Sequence, residues 1–474
     1  MSARAMHECG NAGAAVDSRR PLMANAIRNR ACTWLLAVVL VACSEPERPG
    51  IPARTLMLVT VAGLRADHTS AYLYARPTTY VHFDGGQKQL GRALAIDDLA
   101  AEGVLFANAF APSSRARPSL ASLHTGRSPL ATGVLDGGAP IADTETTLAE
   151  ALAGAGFLTV AFVAEEDRPL AAGWDQGFDV FHRAEDDAGA LGAAVRFVSD
   201  HDFGNQRPLF VWIHLSGPSF PYEPGAVPGA GGTVDCAGLF TDPSYAGSAD
   251  GSAGFRAATP TLDEADRGHI VGLYDGEVAM TNRMLLWFLD YFHWATAPAG
   301  AWSSTLFVLV GTNGEELFRD GATWGHTDSA HDSVLRVPLF MRHPDTLTGR
   351  RILAEIVDLT DVMPTMLDWF GIPAPESVTG RSLLPLMDSH VERPFERRPA
   401  FSVQGDRASF TVRTPEWRLV LLPPAGGGGE ETIELYHQRV DPHALHDVAT
   451  KNPAVVAELE DLLRAWLAAT GDPR

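Results

Sequence analysis

Four cysteines in 474 residues leave little from which to build disulfides. Cys9 and Cys32 fall in the first 42 residues, which read as a cleavable leader, and Cys43 stands at the leader's end. Cys236 is then alone in the mature chain, so no intrachain disulfide is available. The fold has to rest on core packing, which a chain of this length allows. Positive charge is also scarce: 37 Lys and Arg stand against 58 Asp and Glu, a net charge of −21. That balance argues against nucleic acid as a partner, because phosphates need Lys and Arg. It also disfavours adsorption to anionic lipid by charge alone. The apolar run at 34–42 is nine residues long, too short to span a bilayer, which takes about 20. No internal repeat is present. What remains is the composition of a globular chain, 46% hydrophobic and 20% charged, long enough for one large domain plus a smaller appendage.

The N-terminus reads as a targeting segment. Arg28 and Arg30 precede the apolar run, which ends Leu40-Val41-Ala42-Cys43. A basic region, a short apolar core and small residues make a signal peptide. The Leu-Val-Ala-Cys ending resembles a bacterial lipobox, which implies residues 1–42 as a lipoprotein-type signal peptide and Cys43 as the lipidated first residue. Met23 would give a signal peptide of ordinary length, and Met1 and Met6 are alternative starts. Cleavage removes five Arg and two acidic residues and brings the net charge to −24. The expected location is the cell envelope, with the chain anchored in the membrane by lipid at Cys43. Residues 44–54 are polar and Pro-rich and complete a tether over 43–54.

Beyond the tether, residues 55–62 (TLMLVTVA), 209–215 (LFVWIHL) and 305–311 (TLFVLVG) are nearly continuous apolar runs, as in strands buried on both faces of a parallel sheet. Further strands are expected at 104–110, 157–164 and 337–342. Helices are expected at 93–102, 147–155, 188–200, 262–294 and 360–370. This alternation predicts an α/β fold with a mainly parallel sheet flanked by helices over 55–375. Residues 218–261, rich in Gly, Pro and Ser, read as an insertion or lid beside the site. From 376 to 474 the pattern changes. Short strands at 400–404, 409–413, 418–422 and 434–437, with an amphipathic helix at 452–469, predict a small antiparallel sheet with one helix. Gly426–Gly429 reads as a loop tip.

The most informative stretch is 109–126, AFAPSSRARPSLASLHTG. It reads as a loop turning at Pro118 into a short helix, 118–125, where proline suits the first turn and the free N–H groups seat an anion. It resembles the sulfatase signature, within the alkaline-phosphatase superfamily: Cys/Ser/Thr-x-Pro-Ser-x-Ala-x-Leu-x-Thr-Gly. Pro118, Ser119, Ala121, Leu123, Thr125 and Gly126 match. Four further strings fit the family in order: Leu64–His68, Val334–Leu339, Asp361–Leu367 with Gly380–Leu386, and Glu434–Tyr436 with Asp441-Pro442. The resemblance covers nearly the whole mature chain. It implies a sulfatase-like α/β domain and a family activity of sulfuric ester hydrolysis, supported by Ca²⁺ or Mg²⁺.

Against that resemblance the catalytic positions are depleted. The nucleophile position holds Ala116. Where the family has carboxylate ligands after the first strand, this chain has Ala62-Gly63. After the 305–311 strand it has Thr312-Asn313, so only Asn313 survives. Leu120 stands where arylsulfatases place Arg, although other members have His there. Gly217 and Ser219 replace an Asp and a His in the frame that follows His214. His326 fits the family's late histidine. The surviving pocket candidates are Ser119, Asn313 and His326, and no cofactor is expected. Hard cations draw on several carboxylate oxygens, and unpaired carboxylates crowded without one would repel.

Other polar residues take plainer readings. Ser113 and Ser114 read as exposed loop serines, and Ser114 is too far from Pro118 to replace the nucleophile. His326, Asp328, His331 and Asp332 are dense enough to suggest a metal site, but a solvated loop is favoured, with Asp332 matching a surface Asp of the family. Asp67 and His68 read as structural or supporting, His214 as a satisfied core histidine, and Cys236 as a lone thiol. The leading reading is a sulfatase-like envelope lipoprotein without hydrolase activity, kept for binding or structure, with an anionic (sulfated or phosphorylated) ligand; the sequence does not point to a protein partner. The runner-up is an active sulfuric ester hydrolase, or a phospho- or sulfo-transferase, with a rearranged site.

Overall fold

The apolar runs at 55, 209 and 305 form the centre of a nine-stranded sheet, and all three are buried along their whole length. The computed structural model describes residues 54–80, 96–135, 138–165, 170–204, 207–229, 232–258, 260–319, 322–347, 349–388, 391, 393–405, 409–422, 424 and 430–471. The residues read as signal peptide and, up to residue 53, as tether, Cys43 among them, lie, like Gly426–Gly429, outside these residues. Its strands are β1 (Thr55–Val61), β2 (Val104–Phe110), β3 (Leu158–Ala164), β4 (Val180–Ala184), β5 (Leu209–Leu215), β6 (Ala226–Gly229), β7 (Gly232–Asp235), β8 (Thr305–Gly311), β9 (Glu316–Leu317), β10 (Trp324–Gly325), β11 (Arg336–Val337), β12 (Leu339–Arg342), β13 (Arg351–Asp358), and β14 to β17 (Ala400–Gln404, Ser409–Arg413, Trp417–Leu422, Thr432–His437).

The large sheet runs β11-β2-β12-β8-β1-β5-β3-β4, with β13 also on β2. Most neighbours are parallel, while β11 and β12 run antiparallel to theirs. Alternate β1 side chains serve the two faces. Leu56 and Leu58 join a core that includes Leu120, Ala121 and Leu123 of the helix Ala116–Thr125, while Met57, Val59 and Val61 join one that includes Tyr274, Phe288 and Phe292 of the long helix Glu264–Thr296. The two helices therefore cover opposite faces, the sandwich expected of an α/β fold. The long helix starts with a capping box, Asp263 with Asp266.

The C-terminal sheet runs β14-β15-β16-β17, all antiparallel. Leu459, Leu463 and Leu467 of the helix Pro453–Ala469 recur every four residues and pack on it. Residues 51–474 form one compact unit. The small sheet is fastened to the loop after β2: Val403 N–H donates to Pro112 O (2.9 Å) and Ser402 Oγ to Ala111 O (2.7 Å). In the 218–261 stretch, β6 and β7 form a short hairpin and Ala253–Ala257 a short helix.

Asp332, read from sequence as a surface residue, is a correction. Its carboxylate accepts from Arg413 Nη2 (2.6 Å) and Arg418 Nη1 (2.9 Å), and Arg418 is 1% exposed. Burial alone would raise the Asp332 carboxyl, but the two guanidiniums outweigh it and hold it below its usual range. Removing the carboxylate would strand two buried cations. Asp332→Ala is expected to cost about 3–5 kcal/mol in urea unfolding. The pairing should hold above the unfolded carboxyl value near 4 and fade as pH falls through the lower folded one. A loss under about 1 kcal/mol, typical of exposed ion pairs, would contradict this burial argument.

Candidate functional site

The parallel strands end level. Val61 is in register with Leu215 and with Gly311, and the next residues extend the ladder: Ala62 N–H donates to Leu215 O and Thr312 N–H to Val61 O, both 2.9 Å. Ala62-Gly63, Ser216–Ser219 and Thr312-Asn313 therefore share one rim, at the carboxyl ends of the strands, where open α/β sheets place their ligands. The helix Ala116–Thr125 follows β2 and faces this rim. Together they enclose a cleft of about 440 Å³ lined by Arg115, Ala116, Arg117, Pro118, Ser219, Phe220, Asn313 and His326.

At the rim, neutral groups satisfy one another. Asn313 Oδ1 accepts from Gly63 N–H (3.2 Å) and from Thr312 Oγ (3.1 Å), and Asn313 Nδ2 donates to Gly314 O (3.0 Å). Thr312 is fully buried and Asn313 nearly so. Gly63 has φ +68°, and a Cβ there would collide with the Pro218 carbonyl and lie 2.7 Å from Ser219 Oγ, so this backbone accepts no side chain at that position. Tyr274 Oη closes the turn, donating to Gly63 O (2.7 Å) and accepting from Arg65 N–H (3.0 Å). The donor set offered to a cation is a methyl group, a glycine, a hydroxyl and an amide already engaged. It does not fit Ca²⁺ or Mg²⁺, which take several carboxylate or free carbonyl oxygens. Among the described residues, no group of three or more His, Cys, Asp or Glu is placed to hold a metal ion.

The helix begins at Ala116, two residues before the expected start at Pro118. The preceding loop is held by Asp328. Arg115 donates to it through Nε (2.9 Å) and Nη2 (2.8 Å), and Ser114 Oγ donates at 3.0 Å. Ser113 and Ser114 are thus buried rather than exposed. Ser119 does not line the cleft: its hydroxyl donates to Ser113 O (3.1 Å) and it is fully buried. Ala116 brings only a methyl group to the cleft.

Arg115 and Arg117 line the cleft on either side of Ala116, and neither was singled out from sequence. The available signal was two arginines bracketing the nucleophile position in an acidic chain. His326 adds to this basic lining. Its Nδ1 lies 3.4 Å from Glu315 Oε1. Burial pulls the imidazole down, but the fully buried Glu315 carboxylate more than offsets it, so the His326 pKa is raised. Tyr222 Oη donates to the other Glu315 oxygen (3.1 Å).

The dense 326–332 group disperses: His326 to Glu315, Asp328 to Arg115, and His331 and Asp332 to Arg418. Asp67 accepts from Arg65 Nε (2.9 Å) and Nη2 (2.7 Å), and His68 Nδ1 lies 2.7 Å from the buried Asp275, which also accepts from Tyr74 and Arg76. His214 lies under the helix with Nδ1 2.8 Å from Thr60 Oγ1. Burial and the nearby Arg117 lower it to about 4, and burial lowers His124 to about 3, so both imidazoles are neutral near pH 7. Leu120 is fully buried, and Gly217 N–H donates to Asp187 (3.3 Å). The Cys236 thiol is buried and raised to about 11, chiefly by burial.

The family profile described as Sulfatase matches residues 54–372, and one described as N-sulphoglucosamine sulphohydrolase, C-terminal, matches residues 323–469. Arylsulfatase K of Homo sapiens is 27% identical over 146 residues, 29% of this chain and 26% of that protein. The matched stretch thus spans about a quarter of the length of the curated relatives. Among solved structures, the phosphonate monoester hydrolase of Agrobacterium radiobacter superposes with a TM-score of 0.66 at 18% identity, over 88% of this chain and 96% of that one. A 2-O GAG sulfatase gives 0.66 at 18% identity, over 89% and 93%. These likenesses show a shared fold.

The His326–Glu315 pair carries its own test. Glu315→Gln keeps the shape but removes the charge, leaving burial as the dominant influence. NMR titration should then place the His326 pKa below its wild-type value and below the ordinary 6.5. Because the folded value is raised, the pair's stabilisation is complete below pH 6.5 and is lost as pH rises through the folded pKa. An unchanged His326 titration in Glu315→Gln would contradict the assignment.

Proposed function

We propose that this chain, which belongs to the sulfatase family, is an envelope lipoprotein whose cleft binds a sulfated or phosphorylated ligand without hydrolysing it. One observation carries the reading. The cleft presents a methyl group at Ala116 where an attacking oxygen is needed, and opposite it the Asn313 side chain is closed on Gly63 and Thr312. Ester hydrolysis on this fold needs a nucleophile, a cation to neutralise the non-bridging oxygens, and a proton donor. Only the last has a candidate, His326. Ser114, the nearby hydroxyl in the loop, is committed to Asp328. No cofactor belongs to this reading.

Binding survives the loss of chemistry because it draws on other groups. Arg115 and Arg117 supply fixed positive charge, and His326 supplies more when protonated. The helix Ala116–Thr125 adds the positive end of its dipole. Guanidinium groups suit tetrahedral oxyanions in particular. The relatives' printed names, a phosphonate monoester hydrolase and a GAG sulfatase, belong to the same class of anion. The chain's own acidity then works as selectivity, since a ligand has to reach the basic cleft past a negative surface. No helix among the described residues is long and apolar enough to cross a membrane. In this reading the acyl chains on Cys43 make the attachment, each buried CH₂ contributing about 0.8 kcal/mol.

Three outcomes follow. Purified protein should give no turnover of 4-nitrophenyl sulfate or phosphate above a buffer blank, and Ala116→Ser should not create any, because nucleophile and cation act as a unit. Turnover abolished by His326→Ala would overturn the reading. Sulfate or phosphate should raise the melting temperature saturably, beyond the general stabilisation by excluded anions that remains in Arg117→Ala. A saturable shift with micromolar Ca²⁺, unchanged in Arg117→Ala, would instead reveal a working cation site. Cys43→Ala should leave a longer, unprocessed precursor, and normal mature size for that variant would remove the lipid anchor from the account.

A further inference from the structure

The long helix Glu264–Thr296 carries a second, unrelated feature on its solvent side. Met280, Met284, Trp287, Tyr291 and Trp294 recur at alternating steps of four and three residues, which places them in one stripe along the helix. The methionines and Tyr291 are half-buried, but Trp287 is 54% and Trp294 73% exposed. The Tyr291 and Trp294 rings lie 5.9 Å apart. The opposite side, with Leu285, Phe288, Leu289 and Phe292, already fills the core under the sheet. Met284 and Tyr291 still pack against the edge of that core, while Trp287 and Trp294 project beyond it into solvent. Single exposed apolar residues are ordinary, whereas two tryptophans two turns apart on one face form a patch.

The path of the chain places this patch relative to Arg54, where the described residues begin. Tyr274 bonds the turn after β1, at the cleft end of the sheet. The helix then runs about 30 Å, at 1.5 Å per residue, to the opposite end. There Arg54 N–H donates to Ser304 O (2.9 Å), so the first described residue meets the segment that follows the helix. Residues 43–54 span at most about 40 Å. A lipid at Cys43 would hold the tryptophan end of the helix within reach of the bilayer.

We propose that the Trp287–Tyr291–Trp294 stripe docks the domain on the phospholipid bilayer in which Cys43 is anchored. The inference rests on the lipoprotein reading for that anchor. Tryptophan and tyrosine suit the headgroup region, where one side of the ring is apolar and the other wet. The domain is strongly acidic, so insertion of aromatic rings, not attraction to anionic lipid, has to supply the contact. Tethering raises the effective concentration of the bilayer, so two or three rings suffice. A second copy of the chain would need roughly 800 Å² per partner, more than one stripe of five side chains offers.

The test uses vesicles of zwitterionic phosphatidylcholine with bromine near the headgroups, which quenches tryptophans at that depth. Because residues 51–474 form one compact unit, residues 43–474 can carry Cys43→Ser and an N-terminal hexahistidine held on nickel-chelating lipid. This keeps the tether whatever the native modification, which mass spectrometry of Cys43 from whole cells settles separately. Bromine-dependent quenching in wild type that is lost in Trp287→Ala/Trp294→Ala, with unchanged circular dichroism, is the expected result. Quenching that is absent, or equal in the double variant, would overturn docking even if Cys43 is acylated. A stripe-dependent dimer in sedimentation, without quenching, would assign the face to a second copy and overturn it as well.

Discussion

Three parallel strands ending level are the constraint on which the cleft depends. Because Val61, Leu215 and Gly311 share one register, whatever follows each strand is delivered to the same few ångströms. On such a rim a carboxylate after each strand would crowd negative charge, which only a bound cation could relieve. This chain meets the same geometry with a glycine, a threonine and an asparagine. Their mutual hydrogen bonds engage the Asn313 amide and the Thr312 hydroxyl with neutral partners. The Gly63 turn goes further: packed on the Pro218 carbonyl, it excludes any side chain.

Electrostatics then divides the surroundings into neutral and charged layers. Under the helix, His124 and His214 are buried with lowered pKa values, so they add no charge. In the cleft, Arg115 is fixed by Asp328, and Glu315 raises the pKa of His326. Arg115 and His326 are each oriented by a carboxylate behind them, an arrangement that holds a side chain in one geometry. The small C-terminal sheet is coupled to this layer, since Asp332, four residues after Asp328, is clamped by Arg413 and Arg418 of β15 and β16. Packing of the second module and placement of the cleft loop are therefore linked.

Much of this was legible in the chain itself. The central strands follow from continuous β-branched and apolar runs, and β5 and β8 fall at the residues expected. Ala116, Gly63 and Thr312 could be singled out in the sequence because the scaffold residues around them match the family strings. Edge strands were not. VFHRA in β4 and RILAEIVD in β13 mix polar with apolar residues, and both owe their pairing to neighbours distant in sequence. Buried Ser114 bonds Asp328 and buried Ser113 bridges to Val403, each more than 200 residues away, which no local pattern reveals. The same holds for Arg115 and Arg117, whose significance appears only once the rim is assembled opposite them.

The central claim is that the cleft holds an anion without a metal. A crystal structure of the protein grown with tungstate and Ca²⁺, read by anomalous scattering, tests it most directly. The account predicts tungstate between Arg115, Arg117 and His326, and no calcium peak beside Asn313. Calcium coordinated at the Thr312-Asn313 rim, with Asn313 turned away from Gly63, would contradict it.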